Sequence, residues 1–207
     1  MHSGYYRTLR NIQRFPLIHM NKPQSIAEHC YGVAMLCSRM ANALDGVFMP
    51  VDKGLLLDRA LYHDIPQALT GVLSDGFRGS LRSITSLEDI EKSWMRETEE
   101  DNLTEAESYA IWGPSQVSMD ATKLPMTERL LSFADALEFF MTTLDELSFG
   151  NSSVEEISRR AFEVAWNRFS FLFTDSERSA LLILTEVSML IETANALSEK
   201  SQEVSEE

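Results

Sequence analysis

The sequence predicts an all-α fold, a single helical bundle, and three observations carry that reading. Apolar residues recur at spacings of three and four along almost every stretch of the chain. Capping-box pairs, a Ser or Thr followed three positions later by Glu, stand at Ser25–Glu28 and Thr104–Glu107. There is no internal repeat and no alternating apolar–polar run joined by a hairpin turn. With 207 residues the chain can bury one sizeable core, so residues 1–197 read as one domain of about eight to nine helices. Residues 198–207 read as an acidic, disordered tail.

Each element follows from local pattern. Ser25 caps the first long helix, along which Ile26, Cys30, Val33, Cys37, Met40 and Leu44 make one apolar stripe. Residues 52–64 form a second core helix, where Leu55, Leu56, Leu57, Ala60 and Leu61 lead into His63. Pro66 disfavours helical geometry at Ile65, so a break follows His63-Asp64. Three glycines and four serines within 71–86 indicate a loop. An acidic, solvated helix covers 87–101, and Thr104 opens another that Pro114 ends. The clearest pattern is 126–148, with Leu130, Ala134, Leu137, Met141 and Leu144 on one face and Gly150-Asn151 as terminator. Helices over 153–171 and 175–198 complete the bundle.

Composition narrows the function. A net charge of −14 argues against a nucleic-acid polymer as ligand, because surfaces that track phosphates need clustered Lys and Arg. A small nucleotide needs only a local positive pocket. Up to residue 44, Arg7, Arg10, Arg14, Lys22 and Arg39 face one acid, Glu28, so an anion site belongs toward the N-terminal end. Cys30 and Cys37 lie two helical turns apart, about 10 Å, too far for a disulfide. They read as buried small residues in a reducing cytoplasm. The apolar stretch 180–197 is interrupted by Glu186, Glu192 and Asn195, which makes it a core helix and no membrane span.

Two of the four histidines fall into an ordered set with two aspartates: His29, then His63-Asp64, then Asp135. Each stands at the border of an apolar helical face, where an unpaired carboxylate is costly to bury. Two imidazoles and two carboxylates can hold one divalent cation and leave positions open for water and a phosphate oxygen. Taken alone, a His-Asp dipeptide is far more often ordinary structure than a metal site; its neighbours decide the matter here.

Those neighbours are Arg14-Phe15-Pro16-Leu17, Ala27-Glu28-His29 with Val33-Ala34-Met35, Tyr62-His63-Asp64 with Leu69-Thr70-Gly71, Ala134-Asp135-Ala136-Leu137, and Asp145-Glu146-Leu147 with Gly150-Asn151. In this order the chain resembles HD-domain phosphohydrolases, specifically bacterial 5′-deoxynucleotidases and the related phage dATP triphosphohydrolases, over about residues 5–151. The resemblance implies metal ligands at His29, His63, Asp64 and Asp135. It implies a phosphate contact from Arg14, whose planar fork suits an anion, and packing of Phe15 on the nucleoside, although Phe15 serves equally well as a core anchor. Thr70 and Arg78 would be further substrate contacts, with Arg82 a turn later. Glu28 would steady the metal site or simply complete its capping box.

Two positions depart from the family pattern. A catalytic glutamate and a later aspartate are replaced by Gln67 and Val72. An amide cannot act as a general base. Either the metal alone acidifies water, with Gln67 positioning it, or Asp75 takes over part of the lost role, or Gln67 is an introduced change that traps substrate. The function implied is metal-dependent hydrolysis of deoxyribonucleoside 5′-phosphates, inclined to a dATP triphosphohydrolase over a dNMP nucleotidase. A nucleotide-binding protein with impaired catalysis is the alternative that Gln67 and Val72 favour. The cofactor would be one of Mn, Fe, Co, Ni or Zn, with further Mg arriving on the phosphates. A homodimer or higher homo-oligomer is implied, in a cytoplasm that is a host's if the chain is phage-encoded, with no membrane partner.

Overall fold

The computed structural model describes residues 5–45, 51–65, 67–70 and 124–205. The loop and two helices expected over 71–123 lie outside those residues, and with them Val72, Asp75, Arg78 and Arg82. Eight α-helices occur among the described residues: α1 (Tyr5–Leu9), α2 (Ile26–Ala43), α3 (Lys53–Tyr62), α4 (Gln67–Thr70), α5 (Met126–Ser148), α6 (Glu155–Leu172), α7 (Asp175–Leu181) and α8 (Thr185–Ser205). No strand occurs among them; Gln13 and Ser25 make one isolated antiparallel bridge. The all-α prediction stands.

The stripe read along α2 is the face that packs. Ile26, Cys30, Val33, Cys37, Met40 and Leu44 are all buried. Ser25 accepts from the Glu28 amide at 3.2 Å while Glu28 returns a carboxylate to the Ser25 amide at 2.7 Å, closing the capping box. α5 lies against α2, α3 and α6, and its Leu130, Phe133, Leu137 and Phe140 form the centre of the main core. A smaller cluster of Leu9, Ile26, Cys30 and Ile65 seals the region under α1. Burial pushes both thiols, Cys30 and Cys37, up to about 12, which leaves them inert packing residues.

Helix ends follow their signals. α5 stops where Gly150 takes φ +80°, with its amide on Leu147 O at 2.9 Å and the Asn151 amide on Glu146 O at 3.0 Å. That is a Schellman ending, and the residue at positive φ is a glycine. α3 ends at Tyr62 with His63 as its C-cap, so Asp64 sits in the turn beyond the helix and not inside it.

One expectation is corrected. The single helix read over 175–198 is two, α7 and α8, meeting at 114° across a break after Leu181. Leu181, Leu184, Val187 and Leu190 are all buried. On one straight helix, at about 100° per residue, the first and last of these would face opposite ways. The bend lets all four reach the core, and no Gly or Pro announces it. α8 continues through Ser205, past the boundary read at Ser198. Among the described residues no single helix is long and apolar enough to cross a membrane.

Candidate metal centre

His29 projects from the second turn of α2 and is 1% exposed. His63 caps α3, Asp64 follows in the turn, and Asp135 sits mid-way along α5. His29, His63 and Asp64 each offer a ligand atom within 4.8 Å of the others. Nε2 of His29 lies 3.7 Å from Asp64 Oδ2 and 3.3 Å from Asp135 Oδ1, which brings the fourth predicted ligand to the same place. Chain segments distant in sequence therefore converge on one point.

The two rings are turned for ligation. Nδ1–H of His63 donates to the Ala60 carbonyl at 2.8 Å. That fixes the tautomer and leaves Nε2 buried without a hydrogen-bond partner among the described residues. Nδ1 of His29 lies against Glu138 Oε2 and 2.8 Å from Arg14 Nη1; since the carboxylate can only accept, Nδ1 carries the proton toward Glu138, and Nε2 faces the aspartates. A buried imidazole nitrogen with no hydrogen-bond partner among the described residues, 3.8 Å from Asp64 Oδ2, is a costly arrangement for protein alone; the donor set fits a divalent cation of the Mn–Zn series.

Electrostatics agree. Burial alone would raise the Asp135 carboxyl, but the hydrogen bond with His29 and the charges of His63, His29 and Arg168 hold it far below the usual carboxylate range. Burial disfavours a charged His29 ring, yet the bonds to Asp135 and Glu138 outweigh it and raise its pKa. A metal entering the centre would have to displace that proton. Arg168 on α6 donates to the Ser132 carbonyl and lies 3.2 Å from Asp135 Oδ2, on the far oxygen from His29.

Arg14 is beside this centre. Its Nη1 lies 2.8 Å from Glu138 Oε2 and 3.0 Å from Gln24 Oε1. Its guanidinium sits 5.1 Å from the Phe15 ring centroid and 5.5 Å from that of Phe139. Phe15 stacks on Phe139 at 5.5 Å and adopts φ +57°, a left-handed conformation that a bulky residue holds only under constraint. Gln67 opens α4 and is buried, with Oε1 unpartnered among the described residues. Thr70 closes α4. Asp75 and Arg78 lie outside the described residues.

Sequence reading missed three residues. Glu138 occupies an apolar run, Leu137-Glu138-Phe139-Phe140, where a lone acid reads as a solvated position; it is in fact 8% exposed. One signal was present: Gly32, a glycine in mid-helix, whose Cβ would come within 3.1 Å of Glu138 Cγ. Gln24 was overshadowed by the cap beside it, and Arg168 carried no signal.

This bundle and its His-His-Asp cluster define an HD-domain phosphohydrolase. Among solved structures, an HD-domain phosphohydrolase from Listeria innocua has a TM-score of 0.67 at 16% identity, covering 95% of this chain and 96% of that one. The cyanophage S-2L HD phosphohydrolase, bound to dA and one catalytic Zn²⁺, has a TM-score of 0.63 at 17% identity over 93% of this chain and 98% of its own. The model of the 5′-deoxynucleotidase YfbR-like family matches residues 2–165, and the chain belongs to that family. It is 28% identical to a 5′-deoxynucleotidase of Vibrio atlanticus (strain LGP32) over 191 residues, 87% of this chain and 94% of the relative. It is 23% identical to a dATP triphosphohydrolase of Salmonella phage PMBT28 over 182 residues, 86% of this chain and 84% of the relative.

Proposed function

We propose that the protein hydrolyses deoxyribonucleoside 5′-phosphates, using a divalent cation held by His29, His63, Asp64 and Asp135. The observation that carries this is the buried Nε2 of His63, which lies 3.8 Å from Asp64 Oδ2 and has no hydrogen-bond partner among the described residues. When bound, the cation supplies a Lewis acid that makes water more acidic and offsets phosphate charge. The chain's own residues do the rest. Arg14, steadied by Glu138 and Gln24, presents its guanidinium to the phosphate. The Phe15–Phe139 stack offers an apolar wall to the nucleoside, with Thr70 and Arg78 as further contacts. Gln67, buried with its carbonyl oxygen unpartnered among the described residues, would accept a hydrogen bond from the attacking water and orient it; it cannot take the proton. Asp75 is the candidate acceptor for that proton.

The finer reading is a triphosphohydrolase acting on dATP, releasing deoxyadenosine and inorganic triphosphate. Replacement of the family glutamate by Gln67, the basic residues Arg7, Arg10, Arg14 and Lys22, and the phage relative support it. The second reading is a dNMP nucleotidase, supported by the family match and by the Vibrio relative. Chromatography of products from four dNMPs, four dNTPs and ATP, with Mn²⁺, Co²⁺ or Zn²⁺, separates them. Triphosphate from dATP selects the first and phosphate from dNMPs the second. Turnover that survives metal removal by EDTA would overturn both.

A further inference from the structure

A single carboxylate links the two halves of this site. Glu138 Oε2 accepts from Nδ1 of His29 and, at 2.8 Å, from Nη1 of Arg14. Its Oε1 accepts from Gln24 Nε2 at 2.5 Å and from the Thr142 hydroxyl at 3.1 Å. Four donors thus converge on one buried side chain, and nothing in the proposed chemistry uses it directly. The space it occupies is kept by Gly32, since a Cβ there would stand 3.1 Å from Cγ and 3.3 Å from Oε1. A helix interior gives up roughly 1 kcal/mol of propensity for glycine over alanine, so its presence calls for a packing reason.

We propose that Glu138 is the positioning residue of the metal centre: it locks His29 as an Nδ1–H, Nε2-ligating imidazole, and Arg14 and Gln24 hold it in that place. This rests on the metal-centre reading of the site. Arg14 then does two jobs, touching the substrate phosphate with one part of its fork and steadying a metal ligand's partner through Nη1. Hydrogen-bonded carboxylates behind ligating histidines commonly alter metal affinity about 10–100-fold when removed.

The test is a metal titration that needs no substrate. Zn²⁺ affinity is measured by chelator competition on metal-stripped wild type, Glu138→Gln, Gly32→Ala, Arg14→Ala and the Arg14→Ala/Glu138→Gln double variant. Each is first shown to unfold cooperatively, and exposed Glu156→Gln serves as control. We expect Kd to rise about 10–100-fold in Glu138→Gln, several-fold in Gly32→Ala and Arg14→Ala, and no further in the double variant than in Glu138→Gln. Nitrogen-15 histidine spectra should show the Nδ1–H signature of His29 in wild type and its loss in Glu138→Gln. Gly32→Ala keeps the test decisive if Glu138→Gln does not fold, because alanine favours the helix while displacing the carboxylate. Affinities within twofold of wild type, or losses that simply multiply in the double variant, would overturn the proposal and leave the metal centre standing. If wild type itself takes up no Zn²⁺, the metal reading falls and this inference with it.

Discussion

At the scale of single residues, an amide where a proton acceptor is wanted makes a sharp prediction. Gln67 is buried one turn beyond His63-Asp64, so a glutamate there would meet the same water. General bases contribute about 10²–10⁴-fold. Gln67→Glu is therefore expected to raise kcat by roughly the lower end of that range, read by the product assay at saturating metal. An unchanged rate would remove Gln67 from the proton-transfer path. His63→Ala should abolish stoichiometric metal uptake, measured by elemental analysis after gel filtration; retained metal would refute the ligand assignment. The convergence of the four proposed ligands was legible because histidines are scarce in this chain and each of the four borders an apolar stripe. Arg168 was not legible, and Glu138 only through the mid-helix Gly32, because each acts through a partner far away in sequence.

At the scale of elements, the segment between α1 and α2 closes on itself. Arg14 N–H bonds Gln24 O at 2.8 Å and Ile26 N–H bonds Ile12 O at 2.9 Å, pinching a loop whose neck carries Arg14 and Gln24. Glu146, buried at the end of α5, holds the far side: it accepts the amides of Asn21 and Lys22, each at 2.7 Å, and Asn151 Nδ2 at 2.6 Å. Net of the exchange with water, a bond to a charged acceptor contributes about 1.5–3 kcal/mol, and donors released together regain part of that by hydration. Glu146→Ala should thus lower stability by about 2–4 kcal/mol and raise KM more than it lowers kcat, seen in urea melts and steady-state kinetics. A change in kcat alone would show that the loop does not govern substrate binding.

A second clamp ties α7 to α5. Glu177 completes a capping box with Thr174, unnoticed in the sequence, and pairs with Arg129 at 2.5 Å. Burial would raise its carboxyl, but the Thr174 amide and Arg129 outweigh it and hold the pKa below the usual carboxylate range. A depressed folded value means the stabilisation is complete above about pH 4.5 and fades as pH falls through the folded pKa. The stability gap between wild type and Glu177→Gln should accordingly be constant from neutral pH to about 5 and shrink below 4.5. A gap independent of pH in denaturant melts would refute the pairing. The Ser25 cap and the apolar stripes were readable because they are local; the bend after Leu181 was not, since only the position of the core decides it.

For the whole molecule, the four proposed ligands come from residues 29, 63, 64 and 135, so only the folded chain assembles the centre. A cation that binds the native state alone stabilises it by about 2.7 kcal/mol at a hundred times Kd. For a chain of 207 residues each kcal/mol shifts Tm by about 2–4 °C, giving a rise of roughly 5–10 °C. A net charge of −14 complicates the measurement, because any cation screens self-repulsion on so acidic a surface. The two effects differ in form. Diffuse screening grows gradually with ionic strength and scarcely distinguishes Na⁺ from Mg²⁺ at matched strength, whereas the centre should saturate with Mn²⁺ or Zn²⁺ near stoichiometric addition. In scanning calorimetry at fixed salt, the saturating increment should appear in wild type, vanish in His63→Ala and persist in Glu156→Gln. An equal increment in all three would assign the stabilisation to the surface and not to the centre.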